Sequence, residues 1–291
     1  MPDKPRRRRL FAWVFSGLLV LAAVVLAYAY AEARRDPVVR RANLALHDWP
    51  FGGRPITVAL LSDIHLGNAA MDGARLARIA DQVTALRPDV VLIAGDVVDG
   101  RGGEGGEQFA GGLAAPLSRL RAPLGVVAVL GNHDHWASTN VIARSFARAG
   151  ITLLANQAVR RGPLAIAGVD DEYTHHDQAN GTLASARRLG GATVVLSHAP
   201  DLARRLPTGV LLLAGHTHCG QVVLPAWGPA TTHSWVTGEP LFDPRYRCGL
   251  IHDSGRTLVV TAGLGTSDVP LRLGAPPDIW LVRLGPPTPS P

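Results

Sequence analysis

Cysteine is scarce in this 291-residue chain, which carries only Cys219 and Cys248. Two thiols cannot make an all-thiolate structural zinc site, which takes four. They leave open one disulfide, if the domain is exported, or a small buried residue or soft ligand at Cys219, directly after His218. A basic excess is missing as well, once the first 41 residues are set aside. Of 29 Lys/Arg and 23 Asp/Glu, nine and three fall in that segment, and twenty of each sign remain. The body of the protein is formally neutral. A nucleic-acid binder needs a basic face to neutralise phosphates, so no nucleic-acid partner is expected.

Charge is also absent from Leu10 to Ala31, a run that follows four arginines, Arg6 to Arg9. About twenty apolar residues cross a bilayer as a helix, and a soluble helix would show a polar face. The run therefore predicts a single-pass transmembrane helix or uncleaved signal anchor over residues 10–31, after a basic N-terminus at 1–9. Removal as a signal peptide is the alternative. Ala29 and Ala31 stand in A-x-A spacing, and Arg8 to Phe11 resembles the core of a twin-arginine export signal. Five Lys/Arg precede the run and four follow it closely. The tighter N-terminal cluster points to an inside N-terminus and a catalytic domain outside the cytoplasm, held at the cell membrane. Residues 32–54 read as a linker, 55–284 as the folded domain, and 285–291 as a disordered tail.

Within the domain a pattern recurs. "ITVALLSD" ends at Asp63, "DVVLIAGD" at Asp96, "GVVAVLGNHD" at Asn132 to Asp134, "ATVVLSH" at His198, and "GVLLLAGHTH" at His216 and His218. Short Val/Leu/Ile runs closed by small or polar residues are buried strands. Between them, Leu76, Ile79, Ala80, Val83 and Leu86 mark one face of a helix that stops before Pro88. A second helix is expected over Ser138 to Ala149, with weaker ones in "EQFAGGLAAPLSRL" and "ASARRL". Strands alternating with helices predict an α/β fold with parallel strands. After Gln221, "TLVVTAG" and "DIWLVRL" suggest a second, partly antiparallel sheet, and Gly100 to Glu107 reads as a flexible loop.

Loops at the carboxyl ends of parallel strands share one rim, where ligands bind. Five strands here finish in Asp, Asn or His, with no Lys or Arg among them. Acids and neutral imidazoles gathered there need a cation to offset their desolvation. In an extended segment His216 and His218 would point the same way, toward one such ion. Asp63, His65, Asp96, Asn132, His198, His216 and His218 make seven groups, too many for one ion that also admits substrate. Two divalent ions roughly 3.5–4 Å apart, sharing one carboxylate, use them all. Mixed oxygen and imidazole ligands suit Mn, Fe or Zn. His135, His175, His176, His233 and His252 lack such partners and read as solvent-facing or capping. Trp136, Trp227 and Trp235 lie near the rim in sequence, lining a pocket or packing a core.

The blocks "DIH" (63–65), "GD" (95–96), "GNHD" (131–134), "SH" (197–198) and "GHTH" (215–218) resemble, in order, those of the calcineurin-like metallophosphoesterases. Gly263 to Ile279, "GLGTSDVPLRLGAPPDI", together with the N-terminal run, is similar to the membrane-associated bacterial branch that includes UDP-2,3-diacylglucosamine pyrophosphatases. The resemblance implies a four-layer αββα sandwich. It also implies one ion held by Asp63, His65, Asp96 and His218, and another held by Asp96, Asn132, His198 and His216. His133 would be the proton donor to the leaving group, with Asp134 orienting it.

The expected activity is hydrolysis of a phosphodiester or pyrophosphate by a hydroxide that the two ions activate. A lipid-linked substrate such as UDP-2,3-diacylglucosamine is implied, in lipid A biosynthesis with manganese. One alternative is an exported phosphodiesterase or phosphatase acting on soluble nucleotides or phosphoproteins. Another is a non-catalytic metal-binding scaffold of the envelope, which would have no use for the proton donor His133.

Overall fold

Side-chain alternation along extended backbone decides the layering of this protein. The structure, a computed structural model, describes residues 4–100, 104–234 and 238–287. Residues 288–291 of the expected tail, 101–103 of the glycine-rich loop and Trp235 lie outside the described residues. In chain order the strands are β1 (Val38–Ala45), β2 (Ile56–Leu61), β3 (Val90–Ala94), β4 (Val126–Val129), β5 (Ile151–Leu153), β6 (Gln157–Arg161) and β7 (Leu164–Gly168). They continue as β8 (Ala192–Leu196), β9 (Leu211–Ala214), β10 (Val223–Leu224), β11 (Gly228–Pro229), β12 (Gly249–Asp253), β13 (Arg256–Val260) and β14 (Asp278–Gly285). The helices are α1 (Lys4–Arg34), α2 (Gly73–Ala85), α3 (Glu104–Gly112), α4 (Ala114–Leu117), α5 (Asn132–Trp136), α6 (Thr139–Ala149) and α7 (Ala179–Leu189).

Two six-stranded sheets form, ordered β1-β14-β2-β3-β4-β5 and β12-β13-β9-β8-β7-β6. On β2, Val58 and Leu60 face the second sheet, packing with Val194, Leu196, Leu211 and Leu213. Their neighbours Ala59 and Leu61 face the other way, onto Leu76, Ile79 and Val83 of α2 and Phe146 of α6. On the far side, Ala167, Val195 and Leu212 pack against Leu183 and Ala186 of α7. The layers are therefore α, β, β, α, as the resemblance implies. Each such fully buried aliphatic side chain contributes roughly 1.5–3 kcal/mol.

Helix α2 starts where the Asp72 carboxylate accepts the Arg75 N–H at 2.8 Å, and it buries the expected face. Helix α6 ends at Gly150, whose φ of 74° is left-handed. Three expectations need correction. The segment read as a linker contains β1, paired in parallel with β14. Arg40 makes this possible by donating to the buried Asp278 carboxylate at 2.6 Å. The run "DIWLVRL" is β14 and joins the first sheet, between β1 and β2, not the second. The glycine-rich loop gives way at Glu104 to α3, whose Ala110 is buried against the α2 layer.

Among the described residues, Arg8–Arg34 is the one helix long and apolar enough to cross a membrane, and its apolar window is not buried in the protein. Its last turns dock on the domain: Ala29 and Ala33 are buried. The Arg272 N–H donates to Ala29 O at 2.9 Å, and the Arg75 guanidinium donates to Arg35 O at 2.9 Å. Arg34 donates to Ala69 O at 2.6 Å.

Candidate metal centre

The carboxyl ends of β2, β3 and β4 in one sheet meet those of β8 and β9 in the other. All seven side chains expected as ligands converge there. The rim thus belongs to two sheets rather than one, which lets ligands approach from both sides. Sharp turns make the convergence possible: Asp63, His65, Asp96, His216 and His218 have φ of 49°, 49°, 52°, 69° and 49°. Left-handed backbone is costly for residues with a Cβ and clusters at functional sites. Gly131 must lack a Cβ for the same reason, because one built there would lie 2.7 Å from Asp96 N and 2.8 Å from His198 Cγ.

His216 and His218 do not reach one point. Both histidines are left-handed and Thr217 between them is right-handed, with φ of −77°, which breaks the alternation of an extended strand and sends the rings apart. His218 Nε2 lies 3.1 Å from His65 Nε2 and 3.3 Å from Asp63 Oδ1. His216 Nδ1 instead lies 3.1 Å from Asn132 Oδ1 and 3.2 Å from His198 Nε2. Asp96 Oδ2 touches both groups, 3.6 Å from His65 Nε2 and 3.2 Å from His198 Nε2.

Proton accounting shows what such a site holds. His198 Nδ1 donates to Ala94 O at 2.7 Å, and His216 Nε2 donates to Leu241 O at 2.8 Å, because a carbonyl only accepts. His216 turns its other nitrogen toward Asn132 Oδ1, and His198 turns its own toward Asn132 Oδ1 and Asp96 Oδ2, where a cation would take the place of a proton. Ligand bonds of about 2.0–2.2 Å place neighbouring donors about 3 Å apart around an ion. The separations here match, and these residues fit a pair of divalent cations with Asp96 shared.

The electrostatics carry the same demand. Burial works against a charge on His198, yet the adjacent Asp96 outweighs it and raises the imidazole pKa well above its ordinary value. Burial holds His65 and His218 well below theirs, and burial with His198 lowers His216 to about 4. Burial pushes Asp63 up to about 6. The three lowered imidazoles keep lone pairs for a cation and Asp63 calls for a positive neighbour, while on His198 the proton that Asp96 favours stands where a cation would.

A cleft of about 630 Å³ opens above the cluster, lined by Asn132, His133, Trp136, Tyr173, His216 and Phe242 among others. His133 packs edge-on against His65, and its Nε2 lies 3.4 Å from Ser267 Oγ. The expected partnership with Asp134 is corrected by the geometry. Asp134 Oδ1 accepts the Val97 N–H and Oδ2 the Gly131 N–H, both at 2.9 Å, so its carboxylate clasps two loops together. Burial and Asp96 push its pKa up to about 7 against those amides. A carboxylate that does face the His133 ring is that of Asp99, with Oδ1 3.7 Å from Nδ1. Its sequence signal was the second Asp, three residues after the first, in "GDVVDG".

Other positioning residues lie outside the five blocks. Arg272, fully buried, brings its guanidinium to 3.3 Å from His218 Nδ1, and burial lowers its pKa to about 10. Cys219 and Cys248 form a disulfide directly beside His218. Thr217 donates to Arg247 O at 2.6 Å, so the ligand loop is fastened to residues 241–248 three times. Trp136 and the 88% exposed Trp227 pack no core. His135 is bonded to Asp170 at 2.9 Å and stacked on His176.

The sequence pattern of the calcineurin-like phosphoesterases matches residues 56–246, which include all seven clustered side chains and Asp99. The chain belongs to that family. Among curated calcineurin-like relatives, "Transmembrane protein with metallophosphoesterase domain" of Danio rerio is 29% identical over 91% of this chain and 61% of its own length. "Putative metallophosphoesterase F40B5.2" of Caenorhabditis elegans is 31% identical over 70% of this chain and 46% of its own. The chain thus spans about half to three fifths of the length of these two. "Uncharacterized metallophosphoesterase YkuE" of Bacillus subtilis (strain 168) is 28% identical over 97% of this chain and 98% of its own length. Among solved structures, a dimetal phosphatase from Danio rerio overlays with a TM-score of 0.46 at 14% identity, over 72% of this chain and 88% of that one.

Proposed function

We propose that this chain is a membrane-attached hydrolase of phosphodiester or pyrophosphate bonds that works with two divalent cations, with Mn, Fe and Zn compatible with the donors. The observation that carries it is the convergence of His198 Nε2, His216 Nδ1, Asn132 Oδ1 and Asp96 Oδ2, within 3.1–3.2 Å of their neighbours. Cations held there would supply neutralisation of phosphoryl oxygens and a lowered pKa for water.

The rest falls to the protein. Asp63, His65, Asp96 and His218 would hold one cation, and Asp96, Asn132, His198 and His216 the other. Asp96 Oδ1 accepts the His133 N–H at 2.9 Å, which fixes the His133 backbone against a ligand. His133, on the cleft wall, gives its proton to the leaving oxygen as the bond from phosphorus to that oxygen breaks and water oxygen bonds to phosphorus. Asp99, 3.7 Å from Nδ1, faces the ring and positions it. Asp134 holds the loop in place through backbone amides and touches no reacting atom.

The apolar cleft walls at Trp136, Leu241 and Phe242, together with α1, support a lipid-linked substrate. The disulfide beside His218 favours an oxidising compartment, hence a domain outside the cytoplasm. UDP-2,3-diacylglucosamine is a cytoplasmic-side nucleotide conjugate, so we place the lipid-linked class ahead of that molecule. The test is turnover of bis(p-nitrophenyl) phosphate by purified protein with and without manganese. Hydrolysis should need added metal and vanish with chelator; equal turnover in metal-stripped protein would overturn the reading.

A further inference from the structure

The span, the metal centre and an exposed apolar rim meet in one loop, residues 266–274. The uncharged run Leu10 to Ala31 would be about 33 Å long as a helix, against a hydrocarbon core of about 30 Å. The carbonyl of Ala29 therefore lies at the end of the span nearest the domain. Arg272 N–H donates to that carbonyl at 2.9 Å, and the guanidinium of the same residue comes within 3.3 Å of His218 Nδ1. One arginine thus separates the end of the span from a metal-site imidazole, a path of no more than about 15 Å by ordinary bond lengths. The headgroup layer alone occupies about 5–7 Å of that depth.

What the loop exposes suits that position. Val269, three residues before Arg272, is 49% exposed. The adjoining β10-β11 hairpin is stitched to the loop by Val223 N–H to Leu273 O at 2.7 Å, and it presents Leu224 and Trp227 at 42% and 88% exposure. Trp at such a boundary prefers the headgroup region. Gln221 ties the rim to the cleft, donating to Ser267 O and Val269 O at 2.9 and 3.1 Å. Arg35 and Arg41, also exposed just past the span, would meet anionic headgroups.

We infer that Leu224, Trp227 and Val269 seat the cleft mouth on the bilayer that holds α1, so that the substrate is an amphiphile attacked at its phosphoester without leaving that membrane. The substrate half rests on the hydrolase reading above; the seating does not.

The full-length protein is reconstituted in vesicles of phosphatidylethanolamine and phosphatidylglycerol, with a nitroxide at Trp227→Cys or Val269→Cys, and at Phe51→Cys for comparison. Phe51 is fully exposed and precedes β2, at the opposite end of the sheet from the metal centre. Labels at 227 and 269 should be relaxed more by oxygen than by a water-soluble nickel chelate, and the label at 51 the reverse. Water-like accessibility at 227 and 269 overturns the seating, as does spin–spin broadening that reports a second protein copy there. In the same vesicles, Trp227→Asp with Val269→Asp should lower turnover of hexadecyl p-nitrophenyl phosphate by about tenfold or more while soluble bis(p-nitrophenyl) phosphate is cleaved as before. Equal losses on both esters would make the rim a structural element instead. A wild type that cleaves neither ester removes the hydrolase reading and the amphiphile with it, leaving the label depths to decide the seating.

Discussion

Asp96 accepts the His133 backbone N–H through Oδ1 at 2.9 Å while its Oδ2 stands 3.2 Å from His198 Nε2. One carboxylate therefore belongs to the candidate ligand cluster and fixes the backbone of His133, the proposed proton donor. Removing it and removing the proton carrier should have separable effects. Asp96→Ala is expected to lose bound metal and turnover together. His133→Ala should keep its metal, counted by mass spectrometry after dialysis, while kcat falls by about 10²–10⁴.

Asp99 and Asp134 should separate in a second way. Asp99→Asn leaves the backbone clasp intact and should lower kcat by about ten- to a hundredfold, with a changed pH profile and little change in melting temperature. Asp134→Asn puts an amide NH2 against the Val97 or Gly131 N–H. It should cost about 1–3 kcal/mol of stability, read as a lower melting temperature. An unchanged melting temperature with a large kcat loss in Asp134→Asn would restore it as the orienting carboxylate.

The Cys219–Cys248 bond closes a 29-residue separation beside His218. Replacing both cysteines by serine should remove about 2–4 kcal/mol. Because the His216–His218 loop is held from the same segment, bound metal should also be lost faster to a chelator. A dithiol reductant acting on the native protein should reproduce both effects, and reoxidation should reverse them.

His135 offers a pH test away from the ligands. Burial opposes its charge, but the hydrogen bond and charge of Asp170 raise its pKa above 6.5. A raised folded-state value means that the pair stabilises fully below about pH 6.5 and that its contribution fades as pH rises through the folded value. His135→Gln should therefore melt lower than wild type at pH 6, by the equivalent of about 1 kcal/mol, and match it at pH 9. A constant difference across that range would show that packing on His176, not charge, is what His135 contributes.

Much of this architecture was readable because strand and helix announce themselves by period. The apolar runs of β2, β3, β4, β8 and β9 ended where the metal-site residues stand, and the face of α2 stood at helical spacing. What escaped depends on distant partners. Strand β1 carries Asn43 and two arginines and is only half-buried, so nothing local marks it; it is strand because β14 pairs with it and Asp278 takes Arg40. Helix α3 begins among glycines, whose helix propensity is poor, and is held by burial of Ala110. Asp134 is next to His133 in sequence, but adjacent side chains diverge on the short helix α5, and Asp99 from another loop faces the His133 ring.

Strand β14 lies between β1 and β2, and β1 has no other neighbour in the sheet. Strand β1 follows α1 directly in sequence, whereas β14 comes after β13, and the bond from Arg40 to Asp278 spans 238 positions. The edge next to α1 therefore closes by a contact of very long range, which loop-closure entropy makes a late step of folding, and only then does α1 become continuous with the first sheet.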